Sequence, residues 1–190
     1  MMFLEHKYTI EELIVRCKAG ERKAQETLYK QFASKMLGVC MRYATDRMEA
    51  EDMLQNGFIR VFNKLADYRG EGSFEGWVRR IMVHCSIEYY RKHHKMLQVV
   101  DVESSGIEQS VNAVAVANLD AKDLLTLIQA LSPGYRMVFN LYAIEGYSHR
   151  EIGEIMGISE GASKSQLSRA RSILKEQITQ SGGKRYEYAG

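Results

Sequence analysis

With 190 residues, 45% of them apolar, the chain has room for one domain or two small ones of ordinary folded composition. A net charge of +2 gives no general case for a polyanionic partner, and Cys17, Cys40 and Cys85 are too scattered for a disulfide framework or a Cys-x-x-Cys zinc site. Such cysteines fit a reducing, cytoplasmic setting; there is no charged-then-apolar leader and no apolar run near ~18 residues, so neither secretion nor membrane insertion is expected.

One proline and few β-branched runs predict an almost entirely helical chain. Thr9–Glu12 has the form of a capping box, in which side chain and backbone satisfy each other at a helix start. That helix should end at Ala19–Gly20. A second begins near Glu21, with Ala24, Leu28 and Phe32 on one face, and continues through Met41 and Tyr43. Asp46 is placed to cap the next, which runs to about Leu65. Its Leu54, Phe58, Val61, Phe62 and Leu65 are spaced to bury. Glu49, Asp52, Asn56 and Asn63, with Gln55 beside them, form a separate polar face. Gly57 inside this helix costs roughly 1 kcal/mol relative to Ala, which predicts a close approach by another backbone.

The stretch Tyr68–Lys95 has a different character. Gly70-Glu71-Gly72 makes a loop whose glycines permit unusual backbone conformations, and Ser73 can cap the helix that follows. Phe74, Trp77, Val78, Ile81 and Met82 give that helix an apolar face. Arg79, Arg80, Arg91, Lys92, His93, His94 and Lys95 face only Glu75 and Glu88 as opposing charge. Cations that meet phosphates, near aromatic rings that can stack on bases, suit a nucleic-acid strand. His84-Cys85 and His93-His94 lie more than two helical turns apart, so no metal site is expected there.

Residues 96–120 contain Asp101, Glu103, Glu108 and Asp120, with no Lys or Arg between Lys95 and Lys122. With Ser104-Ser105-Gly106 they read as a flexible acidic linker, in which VNAVAVANL could form a short helix. Beyond it, Asp123–Leu131 is apolar-periodic, Ser132-Pro133 opens a second helix to about Glu145-Gly146, and Ser148–Glu151 is another capping box. Gly157 turns the chain between a short helix and a longer one from about Glu160 to Ile178, the spacing of a helix-turn-helix. At 100° per residue Leu167, Ala170 and Leu174 share a buried face, opposite Ser165, Ser168, Arg169 and Ser172, with Lys164, Arg171 and Lys175 to one side. Small hydroxyls and an Arg allow close entry to a major groove. The final SGGKRYEYAG has no periodicity.

Taken together, the chain resembles a compact bacterial sigma factor of the extracytoplasmic-function group over about residues 10–178. AEDMLQNGFIRVF is similar to the family helix that docks on the polymerase clamp, matching at Asp52, Gln55, Phe58 and Phe62. YRGEGSFEGWVRRI is similar to the loop and helix that read and help open the −10 element, and GYSHREIGEIMGISEGASKSQLSRARSIL to the −35 reader. His84 departs from the family's common Asn, and Ala162, Ser163 and Gln166 depart from its usual Thr, Val and Arg.

The resemblance implies an all-α fold of two small helical domains: a region 2 domain at 8–95, the linker 96–120, a region 4 helix-turn-helix domain at 121–178 and a mobile tail at 179–190. It implies core RNA polymerase and promoter DNA as partners, no cofactor and no enzymatic activity of the chain's own; an anti-sigma partner is left open. Polymerase contact is expected from Asp52, Gln55, Asn56 and Phe58. Contact with the −10 element is expected from Tyr68, Arg69, Ser73, Phe74, Arg79, Arg80, His84, Arg91 and Lys92. For the −35 element the corresponding residues are Lys164, Ser165, Gln166, Ser168, Arg169 and Arg171. The rival reading is a helix-turn-helix regulator that binds duplex DNA without polymerase.

Overall fold

The computed structural model describes residues 8–94 and 121–187, all of whose regular elements are helical. Among the described residues eight α-helices follow one another: α1 Ile10–Lys18, α2 Arg22–Met41, α3 Arg47–Lys64, α4 Phe74–His94, α5 Ala121–Ala130, α6 Pro133–Phe139, α7 His149–Met156 and α8 Glu160–Glu187. A 3-10 turn, Leu65–Asp67, closes α3, and a π-helical turn, Asn140–Ile144, closes α6. The expected linker at 96–120, including VNAVAVANL, lies outside the described residues. The chain divides into two compact units, one of Met1–Cys40 with Arg47–Ser86, the other of Met41–Asp46 with Ile87–Gly190.

In the first unit, Thr9 Oγ1 accepts from Glu12 N at 3.2 Å while Thr9 N donates to Glu12 Oε2 at 3.0 Å, so the capping box starts α1. Gly20, with φ of 80°, reverses the chain into α2. Leu13, Leu28, Met36, Val61, Leu65, Val78 and Met82 are fully buried and form its core. Gly57 does serve a close approach, but to a side chain rather than a backbone: a Cβ there would stand 2.2 Å from Met82 Sδ.

Helix α2 ends at Met41 instead of continuing to Tyr43. The physical reason lies in the second unit, where successive carbonyls at this helix end find side-chain donors in place of helical amides. Gln129 Nε2 donates to Met41 O at 3.0 Å and Asn140 Nδ2 to Arg42 O at 2.8 Å. Arg136, only 3% exposed, donates to Tyr43 O and Ala44 O, and also to Gln129 O and Leu131 O at 2.7 and 2.8 Å. Carbonyls at and just beyond a helix end have no partner within the helix and need one when buried.

Pro133 takes the first position of α6 as expected, although Ser132 makes no side-chain cap. Asn140 Nδ2 also donates to Arg136 O at 2.9 Å, inside the turn where the ladder widens, and Glu145 N reaches back to Asn140 O. Leu131, Ala170 and Leu174 pack with Leu127, Tyr135, Phe139 and Ile173 to join α5, α6 and α8. Helix α8 does not stop at Ile178: it runs to Glu187, so the expected tail from 179 is helical for most of its length. Thr179 Oγ1 to Lys175 O and Gln180 Nε2 to Glu176 Oε1 tie this turn to the one before it.

Candidate nucleic-acid interface

Asp52, Gln55 and Asn56 are exposed on α3. Asn56 Nδ2 donates to the Asp52 carbonyl at 2.9 Å, a bond to the helix backbone. Phe58 is buried, with its ring centroid 4.6 Å from that of Tyr29 and 6.1 Å from that of Phe62, so it supports the polar face from beneath. Sequence reading missed two neighbours. Met48 and Ile59 are 73% and 58% exposed and stand at helical spacing with Asp52 and Gln55, giving the stripe apolar ends. An Ile in line with Asp52 and Gln55 was the available signal.

In the 68–74 loop, Gly70 and Gly72 have φ of 81° and 77°, a left-handed backbone that favours glycine. Tyr68 Oη donates to Gly72 O at 3.0 Å and draws the loop closed, while Lys18 Nζ donates to Tyr68 O at 3.1 Å. The half-buried Tyr68 ring lies 5.1 Å from Phe74 and 5.3 Å from Trp77, and Phe74 is buried against Phe32. Ser73 Oγ accepts from Gly76 N at 3.0 Å and caps α4. The loop therefore has an aromatic floor, with Arg69, Glu71 and Ser73 exposed above it.

Along α4, Arg80 and His84 are exposed one turn apart, and Arg79 is half-buried. Lys92 is exposed. Arg91 donates through Nε to Ile155 O at 2.6 Å and through a terminal nitrogen to Glu154 O at 3.4 Å, so in this structure it caps the carbonyl end of α7.

Helix α7 opens with the Ser148–Glu151 capping box, in which Ser148 N donates to Glu151 Oε2 at 2.8 Å. These bonds hold the Glu151 carboxyl below the usual carboxylate range. Gly157, with φ of 70°, makes the turn. Gly153 was not singled out in the sequence, yet a Cβ there would meet Ile158 O at 2.8 Å, so the turn can close on α7 only over a glycine. Ser159 Oγ accepts from Ala162 N and caps α8.

On α8, Lys164, Ser165, Arg169 and Arg171 are exposed and Ser168 is half-buried. Lys164 Nζ pairs with Glu160 at 2.6 Å, which holds the Glu160 carboxyl low. Gln166 is turned inward: its Oε1 is buried next to Gly134. Two residues absent from the sequence expectations, Tyr142 and His149, stack beside Arg171. Among the described residues no cluster of His, Cys, Asp or Glu could hold a metal ion, and no helix is long and apolar enough to cross a membrane.

Residues 28–96 match Sigma-70 region 2, and residues 121–174 match Sigma-70, region 4. The RNA polymerase sigma-H factor of Pseudomonas aeruginosa is 24% identical over 179 residues, which cover 88% of this chain and 93% of that protein. The ECF RNA polymerase sigma factor SigE of Mycolicibacterium smegmatis is 29% identical over 161 residues, covering 80% of this chain and 61% of that one. A solved structure of the sigma factor RpoE from Bartonella quintana, in complex with the anti-sigma factor NepR, is 22% identical; the match covers 81% of this chain and 96% of that one, with a TM-score of 0.47. With regions 2 and 4 matched in order on the segments that carry the glycine loop and the helix-turn-helix, the chain belongs to the sigma-70 family, in its extracytoplasmic-function group, whose members give RNA polymerase its promoter specificity.

Proposed function

We propose that this sigma factor docks core polymerase through the outward stripe of α3 and captures an unstacked base of the −10 strand in the loop 68–74. Asp52, Gln55 and Asn56 make the polar centre of the stripe, Met48 and Ile59 its apolar ends, and Phe58 holds it rigid from below. Tyr68 and Phe74 form the floor of the base pocket, Ser73 and Arg69 its rim. Arg79, Arg80, His84, Arg91 and Lys92 guide the adjoining strand, Arg91 on leaving its α7 carbonyls. Upstream, Arg169 reads base edges with Ser165 and Ser168 beside it, and Lys164 and Arg171 hold phosphates. Gln166 would join them only by turning outward. In domain terms, 8–95 acts as region 2, 96–120 connects and 121–178 acts as region 4. The chain carries no chemistry of its own, and it acts in the cytoplasm with the polymerase.

The observation that carries this reading is the aromatic-floored glycine loop at the mouth of a cation-bearing helix. Opening a duplex costs stacking energy, and a pocket with nearby cations offsets part of it by binding the displaced strand. Replacing residues 69–73 by a flexible linker of equal length is expected to leave core binding intact and abolish open-complex formation on duplex promoters. A promoter pre-melted across the −10 region should recover transcription partly, with poorer discrimination there. Normal melting and discrimination by the replaced protein would refute the assignment. Tight duplex binding without polymerase would favour the regulator reading.

A further inference from the structure

Tyr142 stands in the π-helical turn that ends α6, half-buried. The His149 imidazole, at the first position of α7, lies on its ring with centroids 4.4 Å apart and planes inclined by 20°. The Arg171 guanidinium carbon, from α8, is 5.6 Å from the same ring's centroid. His149 Nδ1 is in turn 2.9 Å from the Ser163 hydroxyl, which is fully buried within α8. One ring thus gathers side chains from both helices of the helix-turn-helix.

Two features separate this group from ordinary packing. A cation within about 6 Å of an aromatic ring is attracted by the ring's negative face, so the contact restricts an otherwise long, exposed side chain. The polar atom of Ser163 occupies a buried position, where a hydroxyl without a partner is costly. His149 supplies that partner, so the serine and the histidine work as a matched pair.

We propose that Tyr142 is a positioning residue for the upstream promoter contact, its ring braced by His149 and holding Arg171 ready for a phosphate. This rests on the reading that α8 enters the −35 groove with Arg171 on the backbone. An arginine held in place before binding loses less freedom when the phosphate arrives. The groups facing His149 are Tyr142, Ser163, Lys164, Arg171 and Glu160. Burial first, then Lys164 and Arg171 against the opposing Glu160, hold the imidazole below its usual value, so it is neutral at pH 7.

The test measures binding of holoenzyme, reconstituted from core polymerase and the full chain, to a promoter identified from its run-off transcripts, as a function of salt. One phosphate contact corresponds to a slope of about 0.9, or about eightfold in affinity at 0.1 M salt. Arg171→Ala should show that loss. Tyr142→Leu should approach it, Tyr142→Phe should stay within about twofold of the parent, and Tyr142→Leu combined with Arg171→Ala should be no weaker than Arg171→Ala alone. In the free protein, Tyr142→Leu should raise the His149 titration midpoint, seen by NMR, towards the ordinary imidazole range. If Arg171→Ala changes nothing, the phosphate reading itself fails. If Arg171→Ala weakens binding but Tyr142→Leu does not, or weakens it equally in both Arg171 backgrounds, the positioning role is overturned and Tyr142 is only packing.

Discussion

Replacing Arg136 by leucine should cost the second unit on the order of 3 kcal/mol, and the size follows from what the guanidinium holds. It is 3% exposed and donates to four carbonyls: Tyr43, Ala44, Gln129 and Leu131. A buried acceptor left without a donor costs about 1–3 kcal/mol, so four taken separately would exceed the whole effect of most substitutions. Two things reduce the sum. Removing the side chain also removes the desolvation cost of a buried cation, several kcal/mol in real proteins, and each carbonyl has a second lone pair that water can reach once the site loosens. Hydrogen bonds to a charged group contribute about 1.5–3 kcal/mol each, and with these offsets the net for the four comes to about 3 kcal/mol. Arg136→Lys keeps the charge but lacks the planar fork, so it should lose less than leucine and still more than 1 kcal/mol. The assay is urea unfolding of the full chain, with amide hydrogen exchange in α6 and in α1 followed in parallel. Faster exchange in α6 and an unchanged α1 are expected. If Arg136→Leu lies within about 1 kcal/mol of the parent, the carbonyls at the end of α2 are satisfied some other way and the reasoning fails.

Gly57→Ala should destabilise despite the better helix propensity, because the added Cβ would stand 2.2 Å from Met82 Sδ in a fully buried site. Overpacking of about 1–3 kcal/mol outweighs a propensity gain of about 1 kcal/mol; a raised melting temperature would contradict this. Asp52→Arg should leave the melting curve within the roughly 0.5 kcal/mol usual at exposed sites, since the Asn56 side chain bonds the Asp52 carbonyl and not its carboxylate. It should weaken assembly with core polymerase at least about tenfold, more at low salt; equal binding would remove the α3 stripe from the docking role.

What could be read from the sequence was whatever closes within one turn. Both capping boxes, at Thr9–Glu12 and Ser148–Glu151, place donor and acceptor three residues apart, so the letters alone specify the bond. Pro133 and the left-handed Gly20, Gly70, Gly72 and Gly157 are similarly local, each set by one residue's own backbone freedom. The end of α2 was not legible, because its terminating donors, Gln129, Arg136 and Asn140, come from 88 to 98 residues along the chain. Nothing in the local pattern distinguishes Met41 from Tyr43 as the last helical residue. The partner of Gly57 was hidden for the same reason: periodicity reported a need for space and could not say whether backbone or a methionine side chain filled it.

For the candidate sites the limit was different. Helical periodicity separates inside from outside, and it did so correctly for Leu167, Ala170 and Leu174 against Ser165 and Arg169. Gln166 was included for its position in a family motif, while its own spacing pointed elsewhere: it lies one turn from Ser163 on one side and from Ala170 on the other, both fully buried. Its oxygen follows the spacing and lies inward beside Gly134. Phe58 and Phe74 show the same conflict, motif positions whose rings are part of the core. Resemblance carries over which segments meet a partner. Burial, set by each side chain's angle on its helix, decides whether a residue in such a segment can offer its own atoms or shapes the contact from beneath.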